Sequence, residues 1–473
     1  MRPPRGCNPG GQDPEDGVTE TPRPSPSSTG SRVRVVHVAS SLGLGGTARA
    51  LLHLVEALDR SVFDVSAAGL AGGGELGDRL RAQGFVAVGC DNDARRLEEH
   101  LRGERPAIVH VHLSGRADPA GCAILGAIER AAPPVVVETN VFGLYASQAS
   151  PEWLALRLFP SKTAMLRFCT RVPAIGPGFL ERHQVLYYPL DLARLFALRA
   201  ELEPQRERIR ARLGIAPGEF VVGRIGRPDD AKWSSLLTPA FAQLVAARPE
   251  ARLLVQEASP QARRELAAAG LLERCVLLEM TSDERALAET YVALDVVAAT
   301  SRIGESFGYT IAEGMCFRRP VVANQTPRKD NAQVELIDSG RTGFVAFTAR
   351  GLARAFERLA ADPARRAAFG EAAAQSVKRF DARSVARDLE VRYGRLLDRR
   401  GLALPEPLRA RLADPACPSP PLDELRAYPA EYRRRLRNVV GGVTPRAIYR
   451  AAWADLRSRS TERRLRERES DYS

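Results

Sequence analysis

Two carboxylates stand eight positions apart in the segment Glu305-Ser-Phe-Gly-Tyr-Thr-Ile-Ala-Glu313. An apolar, strand-like run over 292–299 precedes them, and the pattern after Glu305 predicts a helix from Ser306 to Met315. The first N–H groups of that helix, about residues 306–309, lack intrahelical acceptors and favour an anion. At about 1.5 Å per residue the helix separates the carboxylates by roughly 12 Å. A diphosphate on these amides would have one carboxylate near each end, although such pairs are also common on solvated helix surfaces.

A second candidate cluster follows a β-branched run over 220–225. Arg227 comes first, and Lys232 lies five residues further on. Arginine binds phosphate through two parallel hydrogen bonds and lysine acts as a point charge, so this pair suits a diphosphate. The chain has only four Lys, which makes Lys232 notable. Asp229 and Asp230 leave an ordinary capped helix start as the alternative.

A glycine-rich loop, Leu42-Gly-Leu-Gly-Gly-Thr47, follows the first strand candidate. Because glycine has no Cβ, Gly45 and Gly46 would let a phosphate or sugar approach the backbone closely; a plain strand-to-helix turn is the alternative. The loop also fits part of a dinucleotide-binding pattern. The acidic residue that this pattern needs about 20 residues later is missing, so we expect no NAD(P) site.

Metal-ligand patterns are sparse. Asp91 and Asp93 form a D-x-D triplet in a polar loop, which we interpret as surface. His110 and His112 share one face of a predicted strand, but no third ligand lies nearby in the sequence. The seven Cys are scattered without a C-x-x-C pair, which is typical of reduced thiols. We therefore predict no bound metal and no cofactor.

The elements that position these residues alternate between short β-branched runs and helical patterns. The first series predicts strands over 33–39, 63–69, 85–88, 107–112 and 135–139. The second series predicts strands over 220–225, 252–256, 275–279, 294–299 and 320–323. This alternation predicts an α/β chain with two doubly wound halves and a site in the cleft at the carboxyl ends of the strands.

Several motifs resemble those of the retaining GT-B glycosyltransferases, family 4 (glycosyl transferases group 1). The Glu305–Glu313 segment resembles the family's E-x7-E signature, and Arg227 with Lys232 resembles its G-R-x4-K clamp. The other similar pieces are the first strand with its Gly-Gly loop (33–47), a Pro-Val-Val-Ala strand with Arg319 in place of Gly (316–324), and a further block over 335–345. They occur in the family's order and span roughly residues 32–400.

This resemblance implies a GT-B fold, in which two Rossmann-like doubly wound domains face each other across a cleft. It implies an acceptor-side domain over 32–190, a donor domain over 191–381 and a crossover helix over 382–400. We predict a disordered tail over 1–31, because this segment is rich in Pro and Gly and poor in apolar residues. We predict a Pro-containing linker and a basic helical extension over 401–473.

The implied activity is transfer of a sugar, with retention, from a nucleotide-diphosphate sugar to a hydroxyl acceptor without a metal. A hexosyltransferase of polysaccharide, glycolipid or glycoconjugate biosynthesis is expected. A GT-B sugar-nucleotide epimerase and a non-catalytic nucleotide-sugar-binding scaffold remain alternatives.

By resemblance, Glu305 would steady the donor sugar, Arg227 and Lys232 would hold the leaving diphosphate, and Glu313 would hold the ribose. The donor-binding set is Gly45, Gly46, Ser306, Phe307, Gly308, Tyr309, Thr310 and Glu313. On the acceptor side we expect His112 and also Asn140, which stands where the family often has His. The loop over 324–334, with Arg328 and Lys329, is about four residues longer than is usual in the family.

Positive charge is concentrated near the C-terminus. The net charge is +12, and residues 431–473 alone hold 12 Arg against 6 Asp plus Glu. A helix capped by Thr444 and starting at Pro445 is predicted to carry an apolar stripe, formed by Ile448, Tyr449, Ala452, Trp453 and Leu456. This helix suits an anionic membrane surface, and packing on the protein's own body is the alternative. We expect a cytoplasmic protein, peripheral on the inner membrane face, and no nucleic-acid partner.

Overall fold

Two parallel sheets form the framework of the protein in a computed structural model, which describes residues 32–43, 45–414, 417, 421–440 and 456–464. The first sheet has seven strands in the order β3-β2-β1-β4-β5-β6-β7. Its strands are β1 (Val33–Ala39), β2 (Phe63–Gly69), β3 (Val86–Gly89), β4 (Ile108–Leu113), β5 (Val135–Asn140), β6 (Leu156–Phe159) and β7 (His183–Val185). The predicted tail over 1–31 and the start of the predicted helix at Pro445 lie outside the described residues.

The second sheet has six strands in the order β10-β9-β8-β11-β12-β13, which is the order of a Rossmann sheet. Its strands are β8 (Phe220–Arg224), β9 (Ala251–Gln256), β10 (Cys275–Leu278), β11 (Val296–Ala299), β12 (Val321–Asn324) and β13 (Gly343–Ala346). All pairings within both sheets are parallel. The predicted fold class, two doubly wound α/β halves, is confirmed.

Helices cover both faces of each sheet. Those of the first half are α1 (Gly46–Ala57), α2 (Gly74–Ala82), α3 (Ala94–Glu104), α4 (Pro119–Ala131), α5 (Lys162–Cys169) and α6 (Phe179–Arg182). Those of the second half are α7 (Leu192–Leu202), α8 (Arg206–Arg212), α9 (Leu237–Ala247), α10 (Pro260–Ala268), α11 (Glu284–Ala293), α12 (Tyr309–Cys316), α13 (Gln333–Leu336), α14 (Ala349–Ala361) and α15 (Pro363–Ser376). Three more follow, α16 (Ala382–Arg399), α17 (Glu406–Ala413) and α18 (Leu422–Arg437), and residues 456–464 are also helical.

The chain crosses between the halves twice, and the two crossings are hydrogen-bonded to each other. The Leu190 N–H donates to the carbonyl oxygen of Phe380 over 2.8 Å, and the Ala382 N–H donates to the carbonyl oxygen of Leu190 over 2.9 Å. Helix α16 then packs on the first sheet through buried side chains that include Leu389 and Tyr393. The last part of the second half in sequence therefore stabilises the first half.

The segment expected to be a Pro-containing linker is largely helical. Helix α18 continues through Pro429 and buries Tyr428, Tyr432 and Leu436 in the core cluster of the second half. Leu425, on the same helix, packs in a cluster with residues of the first half. The apolar spacing of this helix outweighs the loss of one N–H donor at Pro429, so this Pro-containing stretch packs as a helix.

Two further predictions need correction. Helix α12 starts at Tyr309 instead of Ser306, because Phe307 turns into the core and Gly308 adopts a left-handed conformation, with φ of 103°. The strand-like run over 292–299 divides between the end of α11 and the four-residue strand β11. Strands β6, β7 and β13 were not among the predicted strands, and each is only three or four residues long.

Candidate active site

The loop that carries Glu305 joins β11 to α12 and is held from both sides. Asn324, at the end of β12, accepts the Ser301 N–H over 2.8 Å and donates to the Ser301 carbonyl oxygen over 3.0 Å. Gly304 has φ of 74°, and a Cβ there would collide with the carbonyl oxygen of Asp330. The Gln333 side chain accepts the Glu305 N–H over 3.2 Å. These contacts fix the backbone that aims the Glu305 carboxylate.

Lys232 and Glu305, which are 73 residues apart in the sequence, meet in the structure. The Lys232 Nζ atom lies 2.9 Å from both carboxylate oxygens of Glu305 and 3.3 Å from the carbonyl oxygen of Gly304. Both side chains are about one-fifth exposed. An ammonium has three N–H donors, so a phosphate oxygen must share or replace one of these acceptors.

Lys232 is positioned by the loop after β8. The buried Arg224 donates to the Lys232 carbonyl oxygen over 3.2 Å. The next residue, Trp233, is buried and donates its indole N–H to Glu265 over 2.8 Å. Arg227 is exposed on the same loop. The structure therefore joins Lys232 to Glu305 directly and leaves Arg227 at the surface, where its phosphate-binding role stays a prediction.

Two helix N-termini meet beside this pair. Helix α1 starts at Gly46 and α12 at Tyr309, and a Cβ at Gly46 would lie 3.8 Å from the Tyr309 ring. Neither helix has a capping side chain or an acidic residue in its first turn. A Cβ at Gly45 would meet no atom within 4 Å, so the loop before α1 faces open space. Both sets of N–H groups favour an anion at this point.

The predicted donor-binding residues around Gly308 divide into backbone and side-chain contributors. Phe307 is 1% exposed and packs between Tyr188 and Phe380, so only its backbone can reach a ligand. The Ser306 carbonyl oxygen accepts the hydroxyl of Ser161 from the first half over 2.7 Å. Because α12 starts late, the N–H groups without an intrahelical acceptor are those of about residues 308–310, since the Ile311 and Ala312 N–H groups already donate to the Gly308 carbonyl oxygen over 3.1 Å.

Glu313 is almost fully buried and is already paired. It forms an ion pair with Arg49 of α1 and accepts the Tyr291 hydroxyl over 2.8 Å. Arg49 also lies over the Tyr309 ring, 4.9 Å from its centroid. Burial, the largest single influence, would lower the pKa of Arg49, but the Glu313 carboxylate together with Tyr309 and Tyr291 raises it overall. A carboxylate accepts about four hydrogen bonds, so Glu313 keeps capacity for a hydroxyl group if Arg49 leaves room.

Asn140 serves the local turn after β5. Its amide donates to the Leu144 carbonyl oxygen over 2.9 Å and accepts the Leu144 N–H over 3.2 Å. The side chain is fully buried beside Gly115. Its predicted acceptor role is untested, and the contacts here are structural.

Three imidazoles lie together on one face of the first sheet. The His37 Nδ1 atom is 3.1 Å from the His112 Nε2 atom, while His110 contacts Tyr393 over 2.6 Å and Thr139 over 2.8 Å. Burial lowers the pKa of His112 to about 3, and burial also lowers the pKa of the other two, so all three are neutral near pH 7.

Among the described residues, these three histidines are the group whose ligand atoms lie close enough for a metal ion, within 4.8 Å of one another. Their rings do not suit one. His110 and His112 are stacked with 15° between their planes, so their in-plane nitrogens cannot converge on one ion. Both nitrogens of His110 are also in hydrogen bonds. The arrangement is that of a hydrogen-bonded core group.

Glu335 joins the two halves beneath the site. This buried carboxylate accepts the N–H groups of Lys162 and Thr163 at the start of α5, over 3.2 and 3.0 Å. It also accepts the hydroxyl groups of Thr163 and Tyr187, over 3.2 and 2.6 Å. A carboxylate at a helix N-terminus is stabilised by the helix dipole, so Glu335 holds α5 next to the Glu305 loop.

Comparison with known proteins finds a family match within the second half. Residues 219–362 match the family model of glycosyl transferases group 1. This part of the chain is similar to that family. Glu305, Lys232 and Glu313 all lie in the group 1 segment, whereas Arg49 and Gly46 lie outside it.

Relatives match over part of the chain. The D-inositol 3-phosphate glycosyltransferase of Corynebacterium aurimucosum is 32% identical over 197 residues, which is 40% of this chain and 46% of the relative. That of Rhodococcus opacus is 33% identical over 187 residues, 37% of this chain and 41% of the relative. The chain thus spans about half the length of the curated relatives it matches.

The likeness to solved structures extends over both halves. Anabaena HepE, solved in complex with UDP-glucose, superposes with a TM-score of 0.61 at 19% identity and covers 78% of this chain and 100% of HepE. The fold outside the group 1 segment is thus the same, and the chain has the GT-B architecture.

Four residues with contacts at or beside the site, Arg49, Thr163, Tyr187 and Arg224, could not be picked out from the sequence. Arg49 follows the Gly-Gly loop by three positions, but nothing in its local pattern linked it to Glu313. Thr163 and Tyr187 contact Glu335, which was noted only as part of a family motif. The buried Arg224 was passed over in favour of Arg227, and its place at the end of a buried strand was the available signal.

Proposed function

We propose that the chain transfers a sugar, with retention, from a nucleoside-diphosphate sugar to a hydroxyl group of an acceptor. The observation that carries this proposal is the contact of Lys232 with Glu305 beside two uncapped helix N-termini. This geometry offers positive charge for a diphosphate and a carboxylate for the sugar within one cleft. The group 1 match and the named activity of the relatives support the same reaction.

The chemical problem is the negative charge that develops on the diphosphate as the bond to the sugar breaks. Preorganised donors aimed at that charge lower the barrier, because they need no reorganisation during the reaction. Lys232, Arg227 and the N–H groups of α1 and α12 are the donors that we assign to this task. With this charge supplied by the protein, the proposed reaction proceeds without a divalent metal.

The carboxylates take different roles in this proposal. Glu305 faces the reacting carbon and steadies the positive charge of the sugar. Glu313 accepts the ribose hydroxyls, for which the guanidinium of Arg49 moves aside or shares the carboxylate. By resemblance to the family, the leaving phosphate removes the acceptor proton on the same face. The acceptor enters from the first half, near the turn that Asn140 closes.

A donor panel tests this proposal. Nucleoside-diphosphate sugars that differ in base and sugar are added to the full chain, and the melting temperature is measured. A cognate donor at about 100 times its Kd stabilises the folded state by about 2.7 kcal/mol, which we expect for one or a few of the compounds. Because the proposed reaction needs no divalent metal, both the stabilisation by the donor and the turnover of sugar transfer are expected to be unchanged when EDTA is added. No stabilisation by any donor, or an absolute need for Mn²⁺ or Mg²⁺, would contradict the proposal.

We further propose a cytoplasmic protein that binds the inner membrane face through its basic C-terminal region. None of the described helices is long and apolar enough to span a membrane. The described part of the tail packs on the protein: Ser458 donates to the Pro429 carbonyl oxygen over 2.9 Å, and Arg464 to that of Cys169 over 2.7 Å. Leu456 is 67% exposed, which leaves an apolar side chain for a membrane surface.

Sedimentation with vesicles tests the membrane proposal. The full chain is expected to bind anionic vesicles in low salt and to bind neutral vesicles weakly, whereas a chain ending after Val440 should bind neither. The truncation spares α18, because Tyr432 and Leu436 are in the core. If the full chain does not bind anionic vesicles, or if salt does not weaken the binding, the C-terminal region has a structural role instead.

A further inference from the structure

Arg49 and Glu313 form a contact between the two halves of the protein. Arg49 belongs to α1 of the first half, and its guanidinium pairs with the Oε1 atom of Glu313 on α12 of the second half. The Oε2 atom of Glu313 accepts the Tyr291 hydroxyl over 2.8 Å. Each oxygen of this buried carboxylate therefore already faces one partner from the protein.

The two partners of Glu313 differ in how readily they can leave it. Tyr291 is fully buried in the core of the second half. About one-third of the Arg49 side chain is exposed, although the Glu313 side chain is almost fully buried. A long, partly exposed side chain can change its rotamer without disturbing the close-packed core, whereas a buried ring cannot. A ribose that binds Glu313 therefore has to take the place of Arg49.

Arg49 needs another anion once it leaves Glu313. Among the residues that the structure describes, Glu313 is the only carboxylate in an ion pair with Arg49. A charged group that loses its partner in a partly buried place is unfavourable, because neither water nor the protein then compensates its charge. A ligand that displaces Arg49 from Glu313 is thus favoured if the ligand carries negative charge of its own.

The helix N-termini of the candidate site lie next to Arg49. Arg49 is the fourth residue of α1, and side chains on a helix lean toward the helix N-terminus. The free N–H groups of α1 lie within the preceding turn, about 5 Å along the axis. The guanidinium carbon of Arg49 is 4.9 Å from the centre of the ring of Tyr309, the first residue of α12. A change of rotamer therefore carries the guanidinium toward the amides that we assign to the diphosphate.

We propose that Arg49 changes partners when the donor binds: the ribose hydroxyls replace it on Glu313, and its guanidinium then binds the diphosphate. The proposal rests on the proposed function, because it assigns a ligand from the first half to the same donor. A guanidinium binds two phosphate oxygens in parallel, and a diphosphate carries more negative charge than one carboxylate. The exchange thus favours a complete nucleoside diphosphate over a nucleoside.

A nucleoside distinguishes this exchange from a purely structural ion pair. It has the ribose hydroxyls that displace Arg49 but no phosphate to receive the guanidinium. In Arg49→Gln the nucleoside has no cation to displace, so its affinity is expected to rise or to stay the same. The nucleoside diphosphate loses a charge-assisted contact, so its affinity is expected to fall roughly tenfold or more. Loss of a purely structural ion pair would weaken the binding of both ligands alike.

Calorimetric titration of the full chain with three pairs of ligands tests the proposal: uridine and UDP, guanosine and GDP, and adenosine and ADP. The pair whose diphosphate binds wild type most tightly is then measured in Arg49→Gln, and the nucleoside affinity is obtained by displacement of the diphosphate. The ratio of the diphosphate affinity to the nucleoside affinity is expected to fall roughly tenfold or more. A ratio in Arg49→Gln that equals that of wild type would overturn the exchange.

Arg79→Gln is the matched control. Arg79 of α2 pairs with Glu284 of α11 over 2.9 Å, so this variant removes another ion pair between the same two halves without touching Glu313. Its affinity ratio is expected to equal that of wild type. An equal fall of the ratio in Arg79→Gln would contradict the exchange, because a loosened contact between the halves would then explain both results.

A double variant, Arg49→Gln with Glu313→Gln, serves if Arg49→Gln folds poorly. It replaces the ion pair by two neutral amides, so no unpaired carboxylate stays buried. The double variant is expected to bind the nucleoside diphosphate roughly tenfold more weakly than Glu313→Gln alone, because only the double variant lacks the guanidinium. Equal affinities of these two variants would exclude Arg49 as a ligand of the diphosphate.

The same titrations separate this proposal from the proposed function. If a nucleoside diphosphate binds wild type and the affinity ratio is unchanged in Arg49→Gln, the exchange is wrong and the proposed function is unaffected. If neither the three diphosphates nor any donor of the thermal panel binds wild type, both proposals are wrong.

Discussion

Lys232→Ala is expected to lower the turnover of sugar transfer roughly 10²–10³-fold, which is the usual loss when one oriented donor to a developing anion is removed. The expected effect arises in the chemical step, because the Lys232 ammonium lies within 2.9 Å of the Glu305 carboxylate at the proposed leaving group. The variant also leaves Glu305 without its partner. Melting temperature should change little, since both side chains are partly exposed.

Lys378→Ala provides the matched control for this prediction. Lys378 is an exposed residue after α15, remote in sequence from the Glu305 loop, and its loss removes the same chemical group. Turnover of the two variants is compared with the donor that the thermal panel identifies. If Lys232→Ala keeps more than half of wild-type turnover, the assignment of Lys232 to the diphosphate is wrong.

Glu305→Gln and Glu313→Gln are expected to affect different steps. Glu305→Gln should lower turnover about 10²-fold or more with little change in nucleotide affinity, because we propose that only Glu305 faces the reacting carbon. Glu313→Gln should weaken binding of the free nucleoside diphosphate roughly tenfold, because an amide accepts the ribose hydroxyls less strongly than a carboxylate does. Both variants replace a carboxylate by an amide, so a difference between their kinetic or binding effects arises from where each residue lies in the site.

Calorimetry with the nucleoside diphosphate and steady-state kinetics measure the two effects. Glu357→Gln, an exposed site on α14, controls for the change from carboxylate to amide. Equal nucleotide affinity in wild type and Glu313→Gln would remove the ribose role from Glu313. That outcome would leave the Arg49 ion pair as the function of this buried carboxylate.

The parts of the fold that could be predicted from the sequence are those whose strands and helices show a clear periodicity of apolar residues. The strands of both sheets alternate with amphipathic helices, so their order and the two-half architecture follow from periodicity. The start of α12 could not be placed correctly, because the burial of Phe307 between Tyr188 and Phe380 is a tertiary contact. Helix α18 was missed because Pro429 predicts a break, while its packing against both halves is long-range.

In the candidate site, too, residues within short sequence motifs could be predicted, whereas contacts between distant parts of the chain could not. Glu305 and Glu313 carry a spacing signal within one short stretch and Lys232 carries one within another, and the structure brings Lys232 to Glu305. The contact of Glu313 with Arg49 joins residues on different halves, and no spacing rule connects them. The pocket lined by Arg167, Lys329 and Arg457 combines α5, the lengthened loop over 324–334 and the helical residues 456–464, so it exists only once the chain has folded.

Helix α18 limits how this protein can be recombined with its relatives. Its Tyr428 hydroxyl lies 2.6 Å from the Thr163 hydroxyl of the first half, and its Tyr432 hydroxyl accepts the Asn331 amide of the second half over 3.0 Å. A chimera that exchanged residues 191–381 alone would set a foreign surface against this helix and against α16. For a hybrid to fold, α16 and α18 must be exchanged together with residues 191–381, or the residues at their contacts must be redesigned. The two halves are therefore not modules that can be exchanged independently of each other.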